Sequence, residues 1–179
     1  MSAAEMGTID IQVTVEAGDW PAEEALYETA TRVLGAANAY LSTELHQPFP
    51  AMSPELSLLF TNDAAMRTIN AEWRDKDKPT NVLSFPAFPL VPGGMPGPML
   101  GDIVLASETI ANEANDLQRS FGDHLAHLLV HGYLHLFGYD HIEVEDAEIM
   151  EHHEIRILAT LGISDPYEGQ SLLDTTKRQ

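Results

Sequence analysis

Four short segments of the chain have the hydrophobic pattern of β-strands. Residues 8–15 (TIDIQVTV) alternate apolar and polar side chains and are rich in β-branched residues, which is typical of a strand with one buried face. Residues 55–61 (ELSLLFT), 80–85 (TNVLSF) and 100–106 (LGDIVLA) are further short apolar runs. The pattern therefore predicts a sheet of about four strands.

Five other segments have helical periodicity. The first starts near Pro21 and places apolar side chains at helical spacing, at Leu26, Ala30, Val33, Leu34 and Ala37. Asn62 or Asp63 can cap a second helix, whose spaced positions are Met66, Ile69, Asn70 and Trp73. The remaining three are predicted at 107–119, 121–137 and 143–161. Strands alternating with helices early and helices clustered late predict an α/β or α+β domain, with a small mixed sheet packed against helices.

The segment between the third and fourth strands cannot form a regular element. Residues 86–99 (PAFPLVPGGMPGPM) contain five prolines and three glycines, which interrupt both helices and sheets. Such a long loop is either functional or mobile, and the sequence leaves both open. With 179 residues, 44% of them hydrophobic, we expect one domain over 1–179, frayed at 1–7 and from about 169 to 179.

Composition narrows the choice of compartment and chemistry. The chain has no cysteine, so any metal is held by nitrogen and oxygen. The first basic residue is Arg32 and no apolar run reaches 18 residues, so we expect no secretory signal, no membrane partner and a cytoplasmic location. The net charge of −19 argues against a nucleic-acid partner. However, four of the nine basic residues cluster at Arg67, Arg74, Lys76 and Lys78, as a basic patch or as a solvated face.

The strongest chemical signal is the segment HGYLHLFGYDH at residues 131–141. On a helix, His131 and His135 lie on one face and can bind one ion. Gly138 can then end the helix and reverse the chain, so that His141 returns as a third ligand. Three nitrogen ligands leave a tetrahedral position for water, as in a catalytic zinc site. The spacing predicts a metal-dependent hydrolase whose zinc-binding helix lies in the C-terminal half.

Two other interpretations of the histidines are weighed. A histidine-rich surface helix would need no metal. His127 lies one turn before His131, with His124 nearby, and is expected to support the ligands or to be an ordinary helix residue.

The spacing of His131, His135 and His141 is also that of the long zinc motif of metzincin proteases. Gly132 replaces the glutamate that acts there as general base, so ordinary metalloprotease chemistry is not expected.

The motif resembles the signature of the YbeY family, bacterial metal-dependent endoribonucleases of ribosomal RNA maturation. The segment RTINAEWRDKDKPTNVLSFP at 67–86 is similar to the family's second characteristic stretch, and Gly101-Asp102-Ile103 is similar to the strand that follows. The resemblance runs from about residue 55 to the Asp165-Pro166-Tyr167 ending.

The resemblance implies roles for particular residues. His131, His135 and His141 correspond to the family's zinc ligands for one ion, and Arg74 to its functional arginine, so Arg74 and His131 are the expected catalytic residues. A bound zinc lowers the pKa of water and polarises a phosphoryl oxygen, and arginine pairs well with phosphate. The implied function is a single-strand-specific endoribonuclease in 16S rRNA 3′-end maturation and ribosome quality control. The implied partners are ribosomal RNA and the ribosome or its proteins.

Several nearby residues have two interpretations. Lys76 and Lys78 guide the RNA backbone or only add solubility. Phe85, beside Ser84 and Pro86 at a strand end facing the site, is expected in the core rather than stacked on a base. Asp140 either orients a ligand imidazole or is a turn residue. His152 and His153 are expected at the surface.

Two rival functions remain at the sequence level. A metal-dependent hydrolase of peptides or esters would need a base from elsewhere, and Glu143 or Glu145 are the nearest candidates. Alternatively, the protein is a ribosome assembly or binding factor whose zinc is structural, in which case metal loss unfolds the chain.

Overall fold

The computed structural model describes residues 7–168. Residues 1–6 and 169–179, where fraying was expected, lie outside that range. Gly7, the last residue of the N-terminal segment expected to fray, is described, and its backbone N–H donates to the Ser42 hydroxyl at 3.0 Å. No helix within the described residues is both long enough and apolar enough to cross a membrane.

The four predicted strands form one mixed sheet, as expected. They are β1 (Asp10–Val15), β2 (Glu55–Thr61), β3 (Val82–Pro86) and β4 (Met99–Ala106). The order across the sheet is β1-β2-β4-β3, with β1, β2 and β4 parallel and β3 antiparallel to β4. Strand β3 therefore forms one edge of the sheet, and β1 forms the other.

The five predicted helices are also present. They are α1 (Glu23–Glu44), α2 (Asp63–Arg74), α3 (Ser107–Asp116), α4 (Phe121–Leu136) and α5 (Val144–Thr160). Of the two candidate caps for α2, Asn62 is the cap, because its side chain accepts from the Ala65 N–H at 2.9 Å. Helix α3 ends three residues earlier than predicted, and Gln118 just beyond it has a left-handed φ of 55°.

The helices cover both faces of the sheet, as the alternation along β4 shows. Ile103 and Leu105 belong to the large core cluster shared with α1, α4 and α5. Val104 and Ala106 point to the opposite face and pack with Met66 of α2. The edge of the sheet formed by β3 is thus accessible to residues from α2 on one side and from α4 on the other.

Helix α4 is the central helix of the larger layer. Eleven of its sixteen residues are buried, and the close approach to the sheet is made at Gly132. A Cβ there would lie 3.0 Å from Ser84 Oγ and 3.2 Å from Ile103 Cγ2, and the Ser84 hydroxyl donates to the Gly132 carbonyl at 2.9 Å. The glycine that replaces a protease glutamate is therefore a packing residue, and it fixes α4 against β3.

Candidate metal centre

The three histidines of the motif converge as the spacing predicts. His131 and His135 lie one turn apart on α4, which ends at Leu136. Gly138 has a φ of +98° and reverses the chain, so that His141 returns to the same place. One ring nitrogen from each of the three lies within 4.8 Å of the others. The group could therefore hold a metal ion.

The spacing between His131 and His135 fits ligands of a single ion. Their Nε2 atoms are 3.1 Å apart, and two nitrogen ligands of a tetrahedral zinc with bonds of about 2.0–2.1 Å are about 3.3 Å apart. Nδ1 of His131 lies 3.1 Å from the Glu154 carboxylate, which favours a proton on Nδ1. The Nε2 lone pair of His131 is then directed at the place where an ion would bind.

Burial favours the neutral form of His135 and His141, which is the form that binds metals. Burial lowers the pKa of His135 to about 3, and the neighbouring His131 and His141 add to the effect. Burial, followed by proximity to His131, also lowers the pKa of His141. Neutral side chains with nitrogen donors fit a divalent ion such as zinc.

Glu154 on α5 is a functional residue that the sequence interpretation missed. Its side chain is fully buried, and Oε2 faces His131 while Oε1 lies 2.6 Å from Nε2 of His127. The Tyr167 hydroxyl donates to Oε1 at 2.6 Å. Burial alone would raise the pKa of this carboxyl, but His131 and His127 hold it well below its usual range. The buried carboxylate thus orients the imidazole of His131, a candidate ligand.

Two of the open alternatives are settled by these contacts. His127 is buried and hydrogen-bonded to Glu154, so it contacts the candidate ligand His131 through that carboxylate. Asp140 accepts from the Ile142 N–H at 3.4 Å, which is the turn interpretation. The partner that orients His131 is Glu154 and not Asp140.

Arg74 shares a cleft of about 460 Å³ with the three histidines, called here the histidine cleft. It is the last residue of α2, and its Nη2 donates to the Ser84 carbonyl of β3 at 2.9 Å. Its guanidinium lies 4.7 Å from the centre of the Phe85 ring. The remaining lining residues are polar or aliphatic, namely Asn70, Lys76, Thr80, Val82, Leu83, Ser84 and Pro86.

The other predicted basic residues divide into two groups. Lys76 lines the histidine cleft. Arg67 instead forms a bidentate pair with Asp77, with distances of 2.7 and 3.1 Å, and Lys78 is exposed but is not among the lining residues. The basic patch at the cleft is therefore smaller than the sequence cluster.

Part of the edge of β3 that faces the cleft is already hydrogen-bonded within the protein. Asn81 and Ala87 pair with β4 through their backbones, so the alternating residues Val82, Ser84 and Pro86 direct theirs outward. The Val82 N–H donates to the Asn81 side chain at 2.6 Å, and the Ser84 carbonyl accepts from Arg74. Pro86 has no N–H to offer.

Three further predictions about side chains have mixed outcomes. Phe85 is only half-buried, packed against the smaller core cluster with Arg74 on its ring, so the core interpretation is right in part. His152 is exposed as expected. The surface prediction for His153 was wrong, since it is half-buried and its Nδ1 lies 2.7 Å from the Tyr40 hydroxyl. Helical spacing brings His153 onto the side of α5 that faces α1.

The candidate bases for peptide hydrolysis do not reach the site. Glu143 and Glu145 are both exposed at the start of α5, and no carboxylate is among the described residues that line the histidine cleft. The cleft thus combines a three-nitrogen group with an arginine.

Comparison with known proteins places the chain in a family. The family model described as "Endoribonuclease YbeY" matches residues 12–162. A protein of that name from Agrobacterium fabrum is 66% identical over 168 residues, covering 94% of this chain and all of the relative. One from Sinorhizobium fredii is 59% identical over 173 residues, covering 97% of this chain and all of the relative.

The fold has a counterpart among solved structures. A solution structure of a Thermotoga maritima protein matches with a TM-score of 0.51 and 19% identity, covering 90% of this chain and 97% of that one. The structural match supports the fold, and the sequence matches extend over nearly the whole chain. This chain belongs to the YbeY endoribonuclease family.

Proposed function

We propose that this protein is a zinc-dependent, single-strand-specific endoribonuclease that acts in 16S rRNA 3′-end maturation and ribosome quality control. The observation that carries the proposal is the convergence of three histidines and Arg74 on one cleft. In this proposal His131, His135 and His141 hold one zinc ion, and Arg74 and His131 are catalytic. The names of the relatives support RNA as the substrate, and the ribosome is the proposed cytoplasmic partner.

The histidines suit a catalytic zinc better than a structural one. A structural site is closed by four protein ligands, whereas three leave a position for substrate or water. When bound there, zinc supplies a Lewis acid and lowers the pKa of a water molecule. The hydrogen bond between His131 and Glu154 would also orient the His131 imidazole toward a bound ion.

Arg74 is suited to hold the phosphate of the scissile bond. Its hydrogen bond to the Ser84 carbonyl and its position over Phe85 fix the guanidinium at the wall of the cleft. The guanidinium has five N–H donors in a planar fork, so donors remain for two phosphate oxygens. A permanent positive charge in this place stabilises the negative charge that grows on phosphorus in the transition state. Lys76 adds positive potential on the same side.

The test is cleavage of a labelled single-stranded RNA by the zinc-loaded protein, compared with His135→Ala and Arg74→Ala variants purified identically. Wild type should cleave and both variants should lose at least about a hundredfold in rate. Equal cleavage by all three would indicate a contaminating nuclease and contradict the proposal. Arg67→Ala is the matched control, because Arg67 pairs with Asp77 away from the cleft.

The rival with a structural zinc is separated by metal removal. Helix α4 is buried mainly by apolar neighbours, so the chelated protein should keep its helical circular dichroism and unfold cooperatively. Chelation that unfolds the chain would support the assembly-factor alternative. Metal-dependent cleavage of peptides or esters, lost in Glu143→Ala or Glu145→Ala, would support the other rival.

A further inference from the structure

A large aromatic side chain lies exposed beside the histidine cleft. Trp73 occupies the position that helical spacing assigns to the packed face of α2, together with Met66 and Asn70, which are buried. The indole of Trp73 is nevertheless 63% exposed. Leaving so large an apolar surface in water forgoes the stabilisation that its burial would give. The exposed indole beside the cleft is therefore available to a ligand.

The other tryptophan of the chain shows the contrast. Trp20 is partly buried, its indole N–H donates to the Thr61 carbonyl at 3.0 Å, and its ring packs against Phe60 and Phe121. Trp73 has one aromatic contact, with Phe85 at 6.2 Å between ring centres and 69° between ring planes. An inclined contact of this kind positions the indole without stacking a parallel ring on it. Its exposure leaves ring surface open for a planar ligand.

The indole lies next to the group proposed to bind phosphate. Arg74 follows Trp73 in the chain, lines the histidine cleft, and rests on the same Phe85 ring that Trp73 contacts. Trp73, Phe85 and Arg74 therefore form one contiguous group, with the cation toward the histidines and the open indole beside it. In a nucleic-acid strand each phosphate is flanked by a base. A strand whose phosphate binds Arg74 thus brings a base close to Trp73.

We propose that Trp73 is a binding site for an unpaired nucleobase, which stacks on the indole while an adjoining phosphate binds Arg74. This inference rests on the proposed endoribonuclease function and deepens it. A base within a duplex is already stacked on both faces, whereas a base in a single strand is free to stack on an aromatic side chain. Trp73 would therefore contribute a physical reason for single-strand selectivity. Stacking is tolerant of base identity, so the site selects strandedness rather than sequence.

The first measurement is tryptophan fluorescence during titration with a 2′-O-methyl oligouridine, whose integrity is checked on a gel afterwards. The matched probe is an oligomer of the same length with the same phosphates and no bases. Stacking should quench Trp73 with the oligouridine and leave it unquenched with the abasic oligomer. Trp20→Phe should keep the quenching and Trp73→Phe should lose it. Equal quenching by the two oligomers, or quenching that disappears with Trp20, overturns the proposal.

The second measurement is affinity, which separates stacking from a merely structural role. Trp73→Ala should weaken oligouridine binding by roughly five- to a hundredfold and leave binding of the abasic oligomer unchanged, while Trp73→Tyr restores most of the loss. Circular dichroism confirms that each variant is folded. An equal loss for both oligomers, or no loss for either, would show that the indole does not bind a base.

The two proposals fail in different ways. His135→Ala removes a metal ligand, so it should lose RNA cleavage and retain the base-dependent quenching. If wild type cleaves RNA and no base-dependent quenching is seen, the stacking site is wrong and the nuclease stands. If quenching is seen and wild type does not cleave, the base-binding site stands and the proposed activity is wrong. If neither oligomer quenches Trp73 and an added protein does, the base-binding proposal is wrong and the indole belongs to a protein interface.

Discussion

Glu154 connects α5 to the metal centre through one buried carboxylate. Its two oxygens contact His131 and His127, and Tyr167 adds a third hydrogen bond. A hydrogen bond from the non-binding nitrogen fixes the orientation of a ligand imidazole and makes it a better donor to the metal. The position of His131 is therefore controlled from a helix that contributes no ligand of its own.

Replacing Glu154 with glutamine should weaken zinc binding by about ten- to a hundredfold. Glutamine has a similar shape, but it is uncharged and presents only one acceptor oxygen, so it cannot serve both His131 and His127. Competition with a chromogenic zinc chelator measures the affinity. Glu148→Gln, on the exposed side of the same helix, is the control and should bind zinc like wild type. Equal affinities for the two variants would show that Glu154 does not support the ligand.

The sequence predicted the convergence of the three candidate ligands but not the carboxylate beside them, and the reason is physical. His131, His135 and His141 lie within eleven residues, so helical geometry and one glycine determine that they meet. Glu154 is one acid among several in α5, and it is distinguished only by which side of that helix packs on α4. Such packing is a long-range property. The exposure of Trp73 was not predicted either. Its spacing places it with the buried positions of α2, and only the tertiary structure shows that the indole is exposed.

At the scale of the elements, the end of α4 determines where the third ligand lies. Gly138 has a φ of +98°, and a Cβ there would overlap the backbone carbonyl oxygen of Leu90 in the proline-rich loop. Pro86 belongs to β3 and Met99 to β4, so the proline-rich loop consists of residues 87–98. It packs directly on the turn that brings His141 back. Gln47 holds the same loop from another side, with its amide nitrogen 2.8 Å from the Gly94 carbonyl.

Gly138→Ala should destabilise the protein more than Gly162→Ala. Both glycines have positive φ values, of +98° and +76°, so each alanine incurs about 1–2 kcal/mol of backbone strain. Gly162 has no atom within 4 Å of a Cβ, whereas Gly138 adds a clash with Leu90 that should cost a further 1–3 kcal/mol or so. Urea unfolding of the two metal-free variants measures the difference. Equal losses would mean that the loop yields without cost.

Local patterns predicted which elements form, but not how they are arranged. The hydrophobic alternation of 55–61 and the periodicity of 121–137 reproduce β2 and α4 to within a residue. The placement of β4 between β2 and β3 was not predicted, since strand order depends on pairing between distant segments. At the start of β3 the Val82 N–H donates to the Asn81 side chain at 2.6 Å, a contact that no periodicity encodes.

At the scale of the whole molecule, a chain with a net charge of −19 is proposed to bind a polyanion. Among residues 7–168, few cations are available at the cleft, because Arg67 is paired with Asp77. Arg74 and Lys76 line the cleft and Lys78 is nearby in sequence. In the proposed function, we expect affinity for RNA to come from few phosphate contacts, from the proposed metal and from base stacking.

Binding of single-stranded RNA should accordingly depend only weakly on salt. Two or three phosphate contacts predict a slope of about −2 or shallower when the logarithm of the association constant is plotted against that of the salt concentration. Titrations of the 2′-O-methyl oligouridine from low to physiological salt give this slope. A much steeper dependence would mean that further basic residues bind the strand. Lys76→Gln should make the slope shallower, and Arg67→Gln should leave it unchanged.

The outer edge of β3 also affects which kind of polymer can bind in the cleft. An extended polypeptide binds the edge of a sheet by continuing its ladder of backbone hydrogen bonds. On this wall of the cleft the Val82 N–H and the Ser84 carbonyl are already bonded within the protein, and Pro86 has no N–H. A peptide strand would find the ladder interrupted at successive positions, whereas a sugar-phosphate strand does not need it. We therefore expect the cleft to accept a sugar-phosphate strand more readily than a peptide strand, independently of the proposed catalytic groups.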